Sequence, residues 1–244
     1  MEVAAIWRHP IKGVGREPLD RVDLTPGATV PQDRIWAVAH EAARLDGRAW
    51  VSCRNFNRGA AAPGLMAVEL SREGDRLRLR HPDLEDLVTD PDAEPEAVAA
   101  WIAPLVPANR SAPVRVIRAA GQGFTDSAFP SISVGNLSSL RALSDKVGRP
   151  LAPERFRMNL WVEGMAPWEE WDWLDREIRF GGATLRVEAR VDRCRATMAD
   201  PATGRIDADT LAALEDGWGH RDFGVYAVCT AGGAVARGDA VAPA

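Results

Sequence analysis

The sequence predicts an α+β fold that is predominantly β, a closed or strongly curved sheet decorated by helices. Three observations predict it. Apolar runs are mostly short and are bounded by Gly, Pro or Asp, as strands are. Residues 76–80 alternate Arg and Leu, the period of a half-buried strand with one wet face. Only three stretches carry apolar residues at the 3–4-residue spacing of an amphipathic helix. Many strands and few helices leave a curved sheet as the economical way to bury both faces.

In chain order, strands are expected at 3–7, 35–40, 65–70 and 76–80, with residues 71–75 turning the chain into a hairpin. A helix over 94–106 has Pro95 in its first turn and sets Val98, Trp101, Ile102 and Leu105 on one face. A strand at 114–118 precedes a helix over 135–147, where Leu137, Leu140, Leu143 and Val147 recur until Gly148 stops it. Strands follow at 159–162, 177–180 and 184–191. Residues 200–204 read as a tight turn closed by a left-handed Gly204. A short helix over 207–214, capped by Asp207, and strands at 224–230 and 234–236 complete the chain. The acidic, turn-rich segment 89–94 suits a hinge. The expected division is a strand-rich N-terminal subdomain over 1–120 and a main domain over 121–244.

Composition narrows the function. The chain has 244 residues and a formal net charge of -5, whereas a generic nucleic-acid binder is basic. Three widely spaced cysteines, Cys53, Cys194 and Cys229, give neither a disulfide framework nor an iron–sulfur pattern. The first residues resemble no secretory signal and no apolar run is long enough to span a membrane, so a cytoplasmic protein with no membrane partner is expected. The basic residues are 28 Arg and 2 Lys, which singles out Lys12 and Lys146.

Several chemistries are missing. There is no HExxH, no GxSxG elbow and no GxxxxGK[ST] phosphate loop. Neither Gly13-Val14-Gly15 nor Gly121-Gln122-Gly123 has the third glycine of a dinucleotide fingerprint. What remains is a set of polar clusters at strand edges. The densest is Val191-Asp192-Arg193-Cys194-Arg195-Ala196-Thr197, at the end of a strand pattern. Two flanking arginines favour a thiolate, which serves as a soft metal ligand or a nucleophile. The same cysteine also suits packing as a small hydrophobe. The other clusters are Pro10-Ile11-Lys12-Gly13, Gln32-Asp33-Arg34-Ile35-Trp36, Ser52-Cys53-Arg54-Asn55 and Arg155-Phe156-Arg157-Met158-Asn159.

Taken in order, these clusters resemble the MOSC fold of molybdenum-cofactor proteins, most nearly the branch of the mitochondrial amidoxime-reducing component. Ile6 to Gly13 resembles the family's opening strand and Lys-Ser turn, and Asp33-Arg34-Ile35-Trp36 its Asp-Arg-aromatic-Trp strand. Phe124-Thr125-Asp126-Ser127 resembles its Asp-Thr/Ser loop, and residues 155–160 its Phe-Arg-Pro-Asn motif. Residues 191–201 resemble its cysteine motif, and Phe223-Gly224-Val225-Tyr226 and Arg237-Gly238-Asp239 its closing elements. Val191 replaces the family's first Cys, Gly13 its Ser and Met158 its Pro.

The resemblance implies a MOSC-type β-barrel with a smaller N-terminal barrel-like subdomain, and a molybdenum cofactor (Mo-molybdopterin) with Cys194 as the protein's metal ligand. It implies a phosphate clamp of Lys12, Arg34 and Arg157. Gly13, Arg54, Asp126, Ser127, Asn159 and Arg193 are implied as further cofactor contacts, and Asp192 and Asp126 as catalytic carboxylates beside Cys194. A clamp of Arg forks and a Lys point charge is what a phosphate wants, and a soft metal wants a thiolate. The implied activity is reduction of a small N-hydroxylated substrate, with electrons from a separate protein of ferredoxin, flavodoxin or cytochrome b5 type. Two other readings stand beside it: a cofactor carrier without turnover, and a basic pocket for another phosphate ligand. Cys53 and Cys229 are expected as ordinary buried thiols.

Overall fold

The computed structural model describes residues 1–45 and 51–244. The chain is mostly strands, with three α-helices among the described residues. Its first strand, Glu2–Arg8, buries Val3 and Ile6 and pairs antiparallel with Leu160–Glu163 on one side and Glu17–Leu19 on the other. It thereby joins an eight-stranded sheet in the order Val241–Pro243, Glu177–Phe180, Ala183–Asp192, Asp222–Ala231, Ile132–Asn136, Leu160–Glu163, Glu2–Arg8, Glu17–Leu19. One pair in it, Ile132–Asn136 with Leu160–Glu163, is parallel. Parallel neighbours need a long crossover, and the helix Leu137–Val147 lies in it.

Ile6, Ile132, Leu160, Phe180, Leu185 and Val225 pack together as the core of this sheet. Each such side chain contributes roughly 1.5–3 kcal/mol by leaving water. A second core, built on Ile11, Trp36, Leu65, Leu77, Leu79 and Ile102, sits under two three-stranded sheets. One sheet orders Ile11–Lys12, Trp36–His40 and Pro113–Arg118; the other is the meander Glu69–Glu73, Arg76–His81, Leu84–Thr89. Arg21–Leu24 and Gly233–Ala236 form a two-stranded ribbon.

The strand-dominated fold class is as the sequence predicts, and the differences are local. The 65–70 segment is not one strand: Pro63–Ala67 is a 3-10 helix, and the strand starts at Glu69. Pro63 fixes the helical φ, and Leu65, Met66 and Ala67 are all buried, so no alternation demands a strand. The helix expected from 135 starts at Leu137, because Gly135 belongs to the strand Ile132–Asn136 and Asn136 caps the helix by accepting from Ser138 N at 2.8 Å. Gly135 is required there, since a Cβ would lie 2.8 Å from the Trp161 ring. The last helix runs Thr210–Trp218, not 207–214, and its cap is Asp209, which accepts from Ala212 N at 3.0 Å. Asp207 is unavailable as a cap because its carboxylate is taken by Arg155. The helix predicted over 94–106 is α-helical over Pro95–Ile102 and tightens to a 3-10 turn over Ala103–Leu105.

Candidate functional site

The strand Glu2–Arg8 delivers the chain to Ile11–Lys12, which pairs with Trp36–His40 (Ile11 opposite Trp36, Lys12 opposite Ala37). This places Lys12 at the seam of the two cores. Its side chain is buried, and Nζ donates to Phe124 O and to Asp126 Oδ1, both at 2.7 Å. Burial pulls the Lys12 pKa down, with Asp126 opposing. Burial would raise the Asp126 carboxyl, but Lys12, then Arg34 and Arg157, outweigh it and hold it below the ordinary range. Gly13 has a φ of 73°, and a Cβ there would lie 2.9 Å from Arg58 Cα. The close approach accounts for glycine at this turn.

Arg34 and Arg157 form the centre of the site. Both have left-handed backbone, φ 53° and 49°. That conformation costs a non-glycine residue about 1–2 kcal/mol and concentrates at functional positions. Arg34 donates NH2 to Arg157 O at 3.0 Å and NH1 to the fully buried Asp33 carboxylate. Burial works against the Arg34 charge, but Asp33 and Asp126 more than offset it and raise its pKa. Arg157 donates to Gly15 O at 2.8 Å and Ile11 O at 3.3 Å, backbone partners that bring no negative charge. Burial and the neighbouring Arg34 press its pKa down to about 9. His9 lies behind them, 1% exposed, with its backbone N–H donating to Asp33 Oδ1 at 2.7 Å. Burial and Arg157 hold His9 neutral, its pKa pushed down to about 3.

Cys194 lies two residues beyond the strand Ala183–Asp192 and just before the 3-10 helix Arg195–Met198. Its thiol is free and exposed. The tight turn expected after it is present: Gly204 N donates to Asp200 O at 2.8 Å, and Ala199 bridges Ile206. Arg193 is held by other groups. It donates to Phe223 O at 2.7 Å, Phe156 O at 3.0 Å and Met158 Sδ at 2.9 Å. Met158, where the motif has Pro, therefore supplies an acceptor. The loop after Cys194 is tied down by Arg155, which is 2% exposed and grips Asp207 with two bonds of 2.7 and 2.8 Å. Arg155 Nε is buried without a hydrogen-bond partner among the described residues.

A single cavity of about 560 Å³ joins these groups. It brings together Lys12, Gly13, Arg34, Asp126, Ser127, Arg157, Asp192, Arg193 and Cys194. Two expected contacts are not on its wall. Arg54, in the 3-10 turn Cys53–Asn55, is exposed and off the wall, which carries Cys53 and Arg58 instead. Asn159 is buried below the floor, where Oδ1 accepts from Ser133 N at 3.1 Å and Ser133 Oγ at 3.0 Å. Cys53 is not an ordinary buried thiol: it lines the cavity, and Sγ accepts from Arg58 NH1 at 3.0 Å. Cys229 is buried in the main core as expected. Sequence reasoning also missed Arg155, Arg190 and Tyr226 as cavity residues. Tyr226 had a signal, being the only tyrosine in the chain. Burial and Asp126 push its phenol pKa up to about 12. No cluster of three or more His, Cys, Asp or Glu side chains is arranged to hold a metal among the described residues. Among them, too, no helix is long and apolar enough to cross a membrane.

The comparisons agree with this architecture. Residues 1–103 match the MOSC N-terminal beta barrel domain and residues 126–242 the MOSC domain. The chain belongs to the MOSC-domain proteins. It is 38% identical over 103 residues to the molybdenum cofactor sulfurase of Anopheles gambiae, a match covering 37% of this chain but 13% of that much longer protein. Among solved structures, the YuaD protein from Bacillus subtilis is 15% identical with a TM-score of 0.47, covering 98% of this chain and 93% of that one. YiiM from Geobacillus stearothermophilus is 17% identical with a TM-score of 0.36, covering 46% of this chain and 53% of that one.

Proposed function

We propose that this protein binds a molybdenum cofactor and uses it to reduce N-hydroxylated compounds, such as amidoximes and hydroxylamines, to the parent N–H compounds. The observation that carries the reading is the Arg34–Arg157 pair. Two like-charged arginines, Arg34 buried and Arg157 half-buried, are held on left-handed backbone in the same cavity as a free thiol. Among the described residues Arg157 has no carboxylate of its own in hydrogen-bond contact, and its charge is disfavoured where it sits. An anionic group in the cavity relieves that penalty, and a bound metal explains an exposed cysteine in a lined pocket. Membership of the MOSC-domain proteins and the similarity to a cofactor sulfurase support the same assignment.

In this reading Lys12, Arg34 and Arg157 would hold the cofactor's phosphate, and Cys194 would be the protein's ligand to the metal. The cofactor, when bound, supplies the two-electron redox chemistry that accepts oxygen from the substrate. The chain's own residues orient and tune. Asp126 fixes Lys12 Nζ and is itself kept ionised. Arg155 and Asp207 hold the Cys194 loop against the turn that carries Arg157. Tyr226 Oη keeps its proton at physiological pH and offers a hydrogen-bond donor to the cavity. These residues hold no iron–sulfur motif of their own, so in this reading electrons reach the cofactor from a donor outside them, a ferredoxin, flavodoxin or cytochrome b5 type of protein.

The test is expression in a cofactor-competent host with molybdate, followed by metal analysis and turnover of benzamidoxime with an artificial electron donor. About one molybdenum per chain and amidine formation are expected. A loaded protein that forms no amidine overturns the reductase reading in favour of a cofactor carrier. A protein without molybdenum overturns both.

A further inference from the structure

Resting on the reductase reading, we propose that the substrate carries a carboxylate, recognised by Arg190, which is held against Trp171 at the wall of the cavity.

Arg190 sits in the strand Ala183–Asp192, four residues before Cys194, and residues 189–194 all line the cavity. Pairing with the strand Asp222–Ala231 shifts register between Arg190 and Asp192. Such an irregularity re-aims side chains near sites. The Arg190 Cζ lies 4.0 Å from the centroid of the Trp171 ring, close contact for a guanidinium over an indole. Trp171 is itself fixed by other aromatics: the His220 ring stands edge-on at 4.6 Å and Trp168 lies at 5.0 Å. Segment 168–173 thus has a use that its tryptophans alone do not reveal.

The stacking matters because of what Arg190 lacks. Arg34 has Asp33, Lys12 has Asp126 and Arg155 has Asp207. On the same strand, Arg186 pairs with Glu188 at 2.6 Å. Arg190 has no carboxylate within ion-pair distance among the described residues. Its side chain is exposed and makes no hydrogen bond among the described residues, so its N–H groups are free to donate. A stacked guanidinium is pre-organised, so it loses little freedom when a partner binds. Its planar fork matches a carboxylate with two parallel hydrogen bonds and one-to-one charge. In this reading Lys12, Arg34 and Arg157 are given over to the cofactor's phosphate, which leaves Arg190 to match a singly charged group. Asp192, on the same wall, sets the opposing outcome, in which a cationic substrate is preferred.

The experiment compares benzamidoxime with 4-carboxybenzamidoxime on the loaded protein. Equilibrium binding is read by quenching of tryptophan fluorescence, and turnover by amidine formation. We expect wild type to favour the carboxylated compound by about tenfold or more in Kd and in kcat/KM. Arg190→Gln collapses that preference to about twofold or less, and Arg190→Lys retains part of it, because charge survives without the fork. Thermal melting of each variant checks that it is folded. Equal affinity in wild type, preference for the neutral or a cationic amidoxime, or a preference that survives Arg190→Gln overturns the proposal. Carboxylate-selective, Arg190-dependent binding without turnover leaves the proposal standing and removes the reductase reading. Unselective turnover does the reverse, and failure of wild type to bind either compound overturns both.

Discussion

The two ends of the cavity are built on opposite principles. The Arg34–Arg157 end is charged and over-determined. Asp33 is fully buried, His9 is 1% exposed, and two arginines sit on left-handed backbone. The Cys194 end is exposed, on a short turn beyond a strand, with one buried brace, Arg155–Asp207, holding the loop that follows. The first end spends folding stability to fix the position of charge. The second spends little, because a metal ligand needs its sulfur free and the loop merely placed. A site can thus be divided into a part whose residues are costly to remove from the fold and a part whose residues are costly only to function.

That contrast sharpens under substitution. Asp33→Asn leaves the buried Arg34 without its carboxylate, and breaking such a pair costs about 3–5 kcal/mol. Denaturant unfolding of the cofactor-free protein measures it, and a loss under about 1 kcal/mol would show that the end is not under charge stress. Asp207→Asn strips the brace from Arg155, with Asp200 still 3.8 Å away as partial compensation, so about 1–3 kcal/mol is expected. Its second readout is faster alkylation of Cys194 as the loop loosens; an unchanged rate would mean that the brace does not control the thiol.

The pH dependence separates the ends again. The folded-state pKa of His9, about 3, lies below its ordinary 6.5, so the unfolded chain binds the extra proton first. Stability therefore falls as pH drops from about 6.5 toward 3, by roughly 1.4 kcal/mol per pH unit from this one group. In His9→Asn, which does not titrate, the slope in that window should flatten. An equal slope in wild type and variant would place the titration elsewhere.

Much of this site was legible in the sequence, and the exceptions have physical reasons. Lys12, Arg34, Arg157 and Cys194 are legible through the motifs that resemble the MOSC family's, whereas local rules alone read each as a surface charge or a packed thiol, and the structure brings all four to one cavity. Arg58 was not, because its place depends on a single 3-10 turn at Cys53–Asn55 that no apolar period announces. Asn159 was expected on the wall and lies beneath it, because its amide satisfies buried Ser133 and Trp7 backbone groups. Asp207 reads as a helix cap by local rules, yet a buried arginine from residue 155 outbids the helix for it. The strand class was read correctly from bounded apolar runs. The 65–70 error arose where burial on all sides removed the alternation that identifies a strand.

The central claim, that Cys194 holds the metal, is tested most directly by X-ray absorption at the molybdenum edge. Loaded wild type and Cys194→Ser are compared at equal cofactor content. The account predicts one more sulfur neighbour to molybdenum in wild type than in the variant, with little change in the stability of the cofactor-free fold. The same sulfur count in both proteins would contradict it.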